Sequence, residues 1–280
     1  MTLIDSHVHF WNPARLDYPW LDSVPDIKKP FLIHDYNQAT SGYEVIKLVF
    51  VQSECEPEQA LDELDFVMEQ AAIDRRIAGI VAYAPLEQGE EVINYLNILK
   101  ANPLVRGVRR LTENQTNPCT AAPFIEAARL LPRFGLTLDV SIRPYQMEET
   151  FALIERCPET QFILDHLGKP NIGHGQFYAF QKHIGRMAQF PNVVAKVSGL
   201  VTEADWEYWT KDEIQPYVDY ALERFGADRL LFGSDWPVVL VAATFDRWLD
   251  TLQQLVTHCS ESERESLFYR TAERVYQLAG

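Results

Sequence analysis

Eight short runs of β character recur along the chain at near-even spacing, and most are followed by a stretch with helical period. They read TLIDSHVHF at the start, IKLVFVQSE from Ile46, IAGIVAYAP from Ile77, VRGVRRL from Val105 and GLTLDVSI from Gly135. QFILDHLG from Gln161, NVVAKVSGL from Asn192 and RLLFGSDWP from Arg229 complete the set. Several are almost continuously apolar, the mark of strands covered on both faces in a parallel sheet. Between them, EPEQALDELDFVMEQAA repeats Leu61, Leu64, Met68 and Ala71 on one helical face and carries Pro57 where a first turn tolerates it. PFIEAARLLPRFG and PYVDYALERFGADR behave alike, with Gly135 and Gly226 placed as C-terminal stops. Eight strands alternating with helices predict an α/β fold: a single (β/α)8 TIM barrel spanning residues 1–280. A doubly wound open sheet is the competitor, and the strand count favours the barrel.

Residues 11–45 break the rhythm. This long β1 loop is aromatic and Pro-rich without a strong helical pattern, and a loop of that length in a compact domain tends to be a lid or a binding loop. The tail SERESLFYRTAERVYQLAG predicts a final amphipathic helix capping the barrel edge. A net charge of −15 leaves no basic stripe for nucleic acid. No apolar run is long enough for a bilayer and no leader pattern precedes the first strand, so neither a nucleic acid nor a membrane is an expected partner. Cys55, Cys119, Cys157 and Cys259 form no C-x-x-C pair, which fits a reduced, cytoplasmic protein. The oligomeric state is left open, a homo-oligomer included.

Chemistry concentrates at strand ends. Residues i and i+2 of a strand point the same way, so His7 and His9 share a face, with Asp5 behind them. Strand six closes on Asp165 and His166, strand eight on Asp235. A closed barrel sets strand eight beside strand one and gathers these groups at the C-terminal face, where barrel enzymes carry their chemistry. Each taken alone has a plain structural explanation as a satisfied polar core group; three such events on one face favour a hydrolytic site. Opening an ester or lactone needs a polarised carbonyl and an activated water. One divalent metal ion on His7, His9, His166 and Asp235, zinc foremost, would supply both. Without metal, three imidazoles would donate to the carbonyl while Asp235 takes the proton. Asp235 is the general base in either scheme.

IDSHVHFW, VRGVRR, DHLGKP, KVSGL and FGSDWP, in this order and with the terminal RVYQLAG, resemble the amidohydrolase-2 group, the lactonase-like branch of the amidohydrolase superfamily. The resemblance covers essentially the whole chain. It implies a (β/α)8 hydrolase with His7, His9, His166 and Asp235 as its site, acting on a sugar lactone such as fucono- or rhamnono-lactone. Other members are a pyrone-dicarboxylate hydrolase and, more distantly, metal-dependent decarboxylases. The chain departs from binuclear relatives: Arg109 and Arg110 stand where a bridging lysine would close strand four. The fifth strand offers Asp139, Arg143 and Tyr145 instead of a histidine. At most one metal is implied, and some members of this branch are thought to work with none. Trp11, Tyr18, Trp20 and Trp236 would line a pocket for a sugar ring or pack the loop onto the barrel. Glu54, Arg109 and Lys196 would bind hydroxyls or a carboxylate, with residues 203–210 as a rim. A decarboxylase of a small carboxylate is the alternative activity, and a non-catalytic sugar-acid binding barrel the alternative of another class. No G-x-S-x-G elbow is present, and GHGQFY from Gly173 lacks the strand a dinucleotide fingerprint needs.

Overall fold

The computed structural model describes residues 2–112 and 118–278. Its strands are β1 (Thr2–Val8), β2 (Glu44–Val51), β3 (Ile77–Tyr83) and β4 (Val105–Arg109), followed by β5 (Thr137–Val140), β6 (Phe162–Leu164), β7 (Val193–Val197) and β8 (Leu230–Phe232). They pair in sequence order, all in parallel, as one eight-stranded sheet. The seam between β8 and β1 is drawn shut by a bridge between Val8 and Trp236. Backbone bonds from Asp235 N to His7 O, 2.9 Å, and from His9 N to Trp236 O, 2.8 Å, reinforce it. The barrel, rather than the open sheet, is the fold.

Helices α2 (Ala60–Ile73), α3 (Ile93–Ala101), α4 (Ala122–Phe134) and α5 (Met147–Arg156) alternate with the strands, as do α6 (Phe177–Met187), α7 (Lys211–Phe225) and α8 (Phe245–Leu255). Gly135 ends α4 in the left-handed conformation, φ 65°, that a side chain would make costly. The first connection is not devoid of helix. It makes two short turns at Pro19–Ser23 and Pro25–Ile27 and then α1 (Ile33–Ala39), whose face shows only Ile33 and Tyr36 buried. Two apolar positions in seven residues are too few for periodicity to reveal. On α2 the predicted Leu64 and Ala71 are buried with Val67, Leu61 and Met68 are half-buried against the same core, and Glu63 and Gln70 join the buried face as polar members that a hydrophobic pattern does not count.

The barrel interior is layered. Ile4, Val49, Val81, Ile163, Val194 and Leu231 form an apolar floor. The C-terminal segment, α9 (Glu261–Glu265), a π turn and α10 (Thr271–Val275), presses Ala272, Val275, Tyr276 and Leu278 against it. The expected cap is therefore a plug on the floor. Ala279 and Gly280, the last residues of the RVYQLAG motif, lie outside the described residues. Two residues along the same strands, Asp165 follows Ile163 and Lys196 follows Val194, so the pleat turns both polar groups inward one step above the floor.

Candidate active site

The outermost interior layer is made of the three histidines and Asp235. Asp5 does not share their direction: the β1–β2 register shifts between Asp5 and Val8. Asp5 instead accepts hydrogen bonds from Tyr36 Oη at 2.9 Å and Ser234 N at 2.8 Å, tying β1 to α1 and to the end of β8. His7 and His9 turn toward each other, their Nε2 atoms 3.1 Å apart, His9 on the cavity wall and His7 fully buried behind it. Asp235 Oδ1 lies 3.4 Å from His9 Nε2 and 3.7 Å from His7 Nε2. The His166 ring centroid is 4.5 Å from that of His7, and its Nδ1 meets Ser198 Oγ at 2.9 Å.

Backbone strain holds part of this arrangement. Asp235 (φ 60°), His166 (φ 54°) and Glu54 (φ 58°) are all left-handed without being glycine. Each such conformation costs ~1–3 kcal/mol and persists where the surroundings impose it. Gly199 has the same hand for a different reason: a Cβ there would stand 2.5 Å from His166 Nδ1 and 3.2 Å from Asp235 Oδ2. The bare backbone lets both side chains close over it.

Burial and neighbouring charge set the protonation of the group. Desolvation carries His166 down to about 4 and lowers His9; for His7, desolvation and the Lys196 ammonium together lower it further. All three rings are neutral at pH 7. Burial alone would raise Asp235, but His166, His9 and Lys169 outweigh it and keep the carboxyl below its ordinary range, hence ionised. Neutral imidazoles around an ionised carboxylate make a donor set for a divalent cation. Ligand atoms of His7, His166 and Asp235 all lie within 4.8 Å of one another. The residues fit such an ion.

These groups open into a cavity of about 430 Å³. His9, His166, Asp235, Arg109, Glu54 and Trp20 line it, as do Arg143, Lys169, Glu203, Trp206, Ser141 and Leu111. Arg109 also reaches inward, donating from Nη1 to Asp165 Oδ2 at 3.2 Å and from Nη2 to the Gln52 carbonyl. Trp20 donates to Ser53 O at 2.8 Å, and the Glu54 carboxylate accepts from Gln52 Nε2 at 2.7 Å. Four expected contacts do not line the cavity, the buried Tyr18 of the first loop among them. Trp11 is fully buried and donates to the Ile27 and Lys29 carbonyls, holding the loop together. Trp236 packs edge-on among Phe10, Phe31 and Tyr36 behind the wall. Lys196 is fully buried beneath His7, paired with Asp139 and Asp165. For the two tryptophans, packing outweighs a place against substrate; for Lys196, its position on the strand places it a layer too deep. Of the expected rim, Glu203 and Trp206 line the cavity, whereas Trp209 turns away to donate to Ala242 O. Arg143 and Glu203 pair across the mouth at 2.6 Å. Sequence reasoning gave no role to Ser198, Gly199 or Tyr276; the KVSGL motif was the only signal for the first two.

Residues 4–278 match the family model described as amidohydrolase. The chain belongs to the amidohydrolase family. An L-fucono-1,5-lactonase of Burkholderia multivorans is 30% identical to this amidohydrolase over 98% of this chain and 96% of its own. An L-rhamnono-gamma-lactonase of Scheffersomyces stipitis is 22% identical over 99% and 98%. A crystal structure of an amidohydrolase from Burkholderia multivorans, with bound zinc, superposes at a TM-score of 0.91 with 29% identity, both chains covered completely.

Proposed function

We propose that this hydrolase opens a small cyclic ester, an uncharged sugar lactone of the fucono- or rhamnono- type, by attack of water on the ring carbonyl. The observation that carries the reading is the ionised Asp235 set within 3.7 Å of two neutral imidazoles at the base of the cavity. The lactonase names of the relatives support the ester class. Lining charge supports an uncharged substrate: among the described residues Arg109, Arg143 and Lys169 face Glu54, Glu203 and Asp235, three cations against three carboxylates.

Asp235 accepts the proton of the attacking water and returns it to the ring oxygen as the ester bond breaks. The neutral His166 ring orients the carbonyl above the His7–His9 pair, and Trp20, Leu111, Val238 and Val241 shield the sugar from bulk water. A divalent ion held by His7, His166 and Asp235, zinc being our choice, would polarise the carbonyl and acidify the water. The substrate is a soluble small molecule and the proposed address is cytoplasmic; among the described residues no helix is long and apolar enough to cross a membrane.

The test is proton release from L-fucono-1,5-lactone and L-rhamnono-gamma-lactone, beside carbon dioxide release from a semialdehyde carboxylate, before and after chelation. We expect lactone opening that outlasts chelation, because the protein's own donors and base suffice. Carbon dioxide release abolished by chelation, with inert lactones, would install the decarboxylase instead. Binding of a sugar acid with no product by NMR would leave a non-catalytic barrel.

A further inference from the structure

His7 is gripped from behind. Lys196 Nζ lies 3.0 Å from its Nδ1, 2.6 Å from Asp139 Oδ2 and 3.0 Å from Asp165 Oδ1, and all four residues are fully buried. An ammonium only donates, so His7 Nδ1 accepts, and the single proton of the neutral ring belongs on Nε2. A second contact gives the same answer independently. His9 Nδ1 is 2.7 Å from the Val51 carbonyl, which only accepts, so His9 carries its proton on Nδ1 and a lone pair on Nε2. The 3.1 Å contact between the two Nε2 atoms then needs His7 as donor. Arg109 Nη1 is also 3.4 Å from His7 Nε2, but it has Asp165 Oδ2 at 3.2 Å as a better acceptor.

The grip extends to the floor of the barrel. Tyr276 of the C-terminal segment donates to Asp139 Oδ2 at 2.7 Å, the same oxygen that Lys196 uses. Tyr276, Asp139, Lys196 and His7 thus form one buried column from the plug to the cavity.

We propose that Lys196 is a positioning residue for the reaction and that the C-terminal segment, through Tyr276 and Asp139, holds it in place, so that His7 turns an Nε2–H toward His9 beneath the cavity. Two consequences separate this role from mere packing. In this state His7 donates to His9 Nε2. To ligate a cation through Nε2 it must carry its proton on Nδ1 instead. There Asp165 Oδ1, which has no aligned hydrogen bond of its own, waits at 3.4 Å while Lys196 blocks the way. Lys196 therefore favours the donor form of His7 over the ligand form.

The test begins with ring 15N NMR of the zinc-free, full-length protein. A His7 signature of the Nε2–H tautomer is expected; an Nδ1–H signature overturns the proposal. Tyr276→Phe, which keeps the packing, should shift the His7 ring signals and lower kcat about tenfold at unchanged KM. Unaltered signals and kcat remove the C-terminal segment from the column. Lys196→Met removes the buried cation 3.0 Å from His7 Nδ1 and should bind zinc about tenfold more tightly in competition with a chelator; equal or weaker binding refutes the block. Should that variant not fold, the ring spectra of the wild type and Tyr276→Phe still decide. The kinetic arm rests on the lactone-hydrolase reading. If no lactone is opened that reading fails, while the spectra still judge the column.

Discussion

Gly199 shows how narrowly single residues define the site. Its absent Cβ is the space into which His166 Nδ1 and Asp235 Oδ2 close. Gly199→Ala would meet both that crowding and a left-handed backbone, φ +59°. Activity on the lactone should fall about a hundredfold, with only a small loss of melting temperature. Near-wild-type turnover would show that His166 has room to yield. At this scale the titratable groups were legible in the sequence because they break the apolar run of a strand, where only a partner makes them tolerable. His7, His9, His166 and Asp235 were readable in that way. The depth of Lys196 was not, because a single pleat repeat, two strand residues, separates a cavity wall from a buried layer. Nor could the sequence decide whether Trp11 and Trp236 face a sugar or the loop, since a buried indole needs only an acceptor for its N–H and apolar neighbours.

Helix α2 carries a buried ionisable group, Glu63, whose Oε1 accepts from Ser53 N at 3.0 Å. Burial raises its carboxyl from 4.5 to about 8. The fold thus prefers the protonated acid. The stability it contributes is complete below pH 4.5, declines as pH rises toward about 8, and changes no further above that. Glu63→Gln mimics the protonated form, so its melting temperature should match the wild type at pH 4.5 and exceed it by a growing margin up to pH 8. Thermal unfolding across that range checks the sign; a pH-independent gap would show that Glu63 is ionised in the fold. Elements with a nearly continuous apolar run, such as the strands, announced themselves. Helix α1, with two buried residues, owes its placement to tertiary contacts that no local period records, as does the burial of Glu63 and Gln70 in the stripe of α2.

For the molecule as a whole, the seam between β8 and β1 is where fold and function meet, because closure brings Asp235 to the histidines. Asp5 clasps it, accepting from Ser234 N on one side and Tyr36 Oη on the other. Asp5→Asn keeps the shape but sets an amide where one of those donors points. The cost should be about 1–3 kcal/mol, read as an earlier denaturation midpoint with an unchanged slope. An unaffected midpoint would mean that the Val8–Trp236 bridge and its flanking backbone bonds suffice. Eight-strand alternation made the barrel legible from sequence alone. The destination of the tail was hidden, because an amphipathic helix states that it has a dry face and leaves unsaid which surface covers it.

The most direct measurement is the turnover of Asp235→Asn on the lactone that the wild type opens fastest, with circular dichroism to establish that the variant is folded. An amide cannot take a proton from water, so kcat should drop about a thousandfold at similar KM. A folded variant within tenfold of the wild type would contradict the assignment of Asp235 as the base.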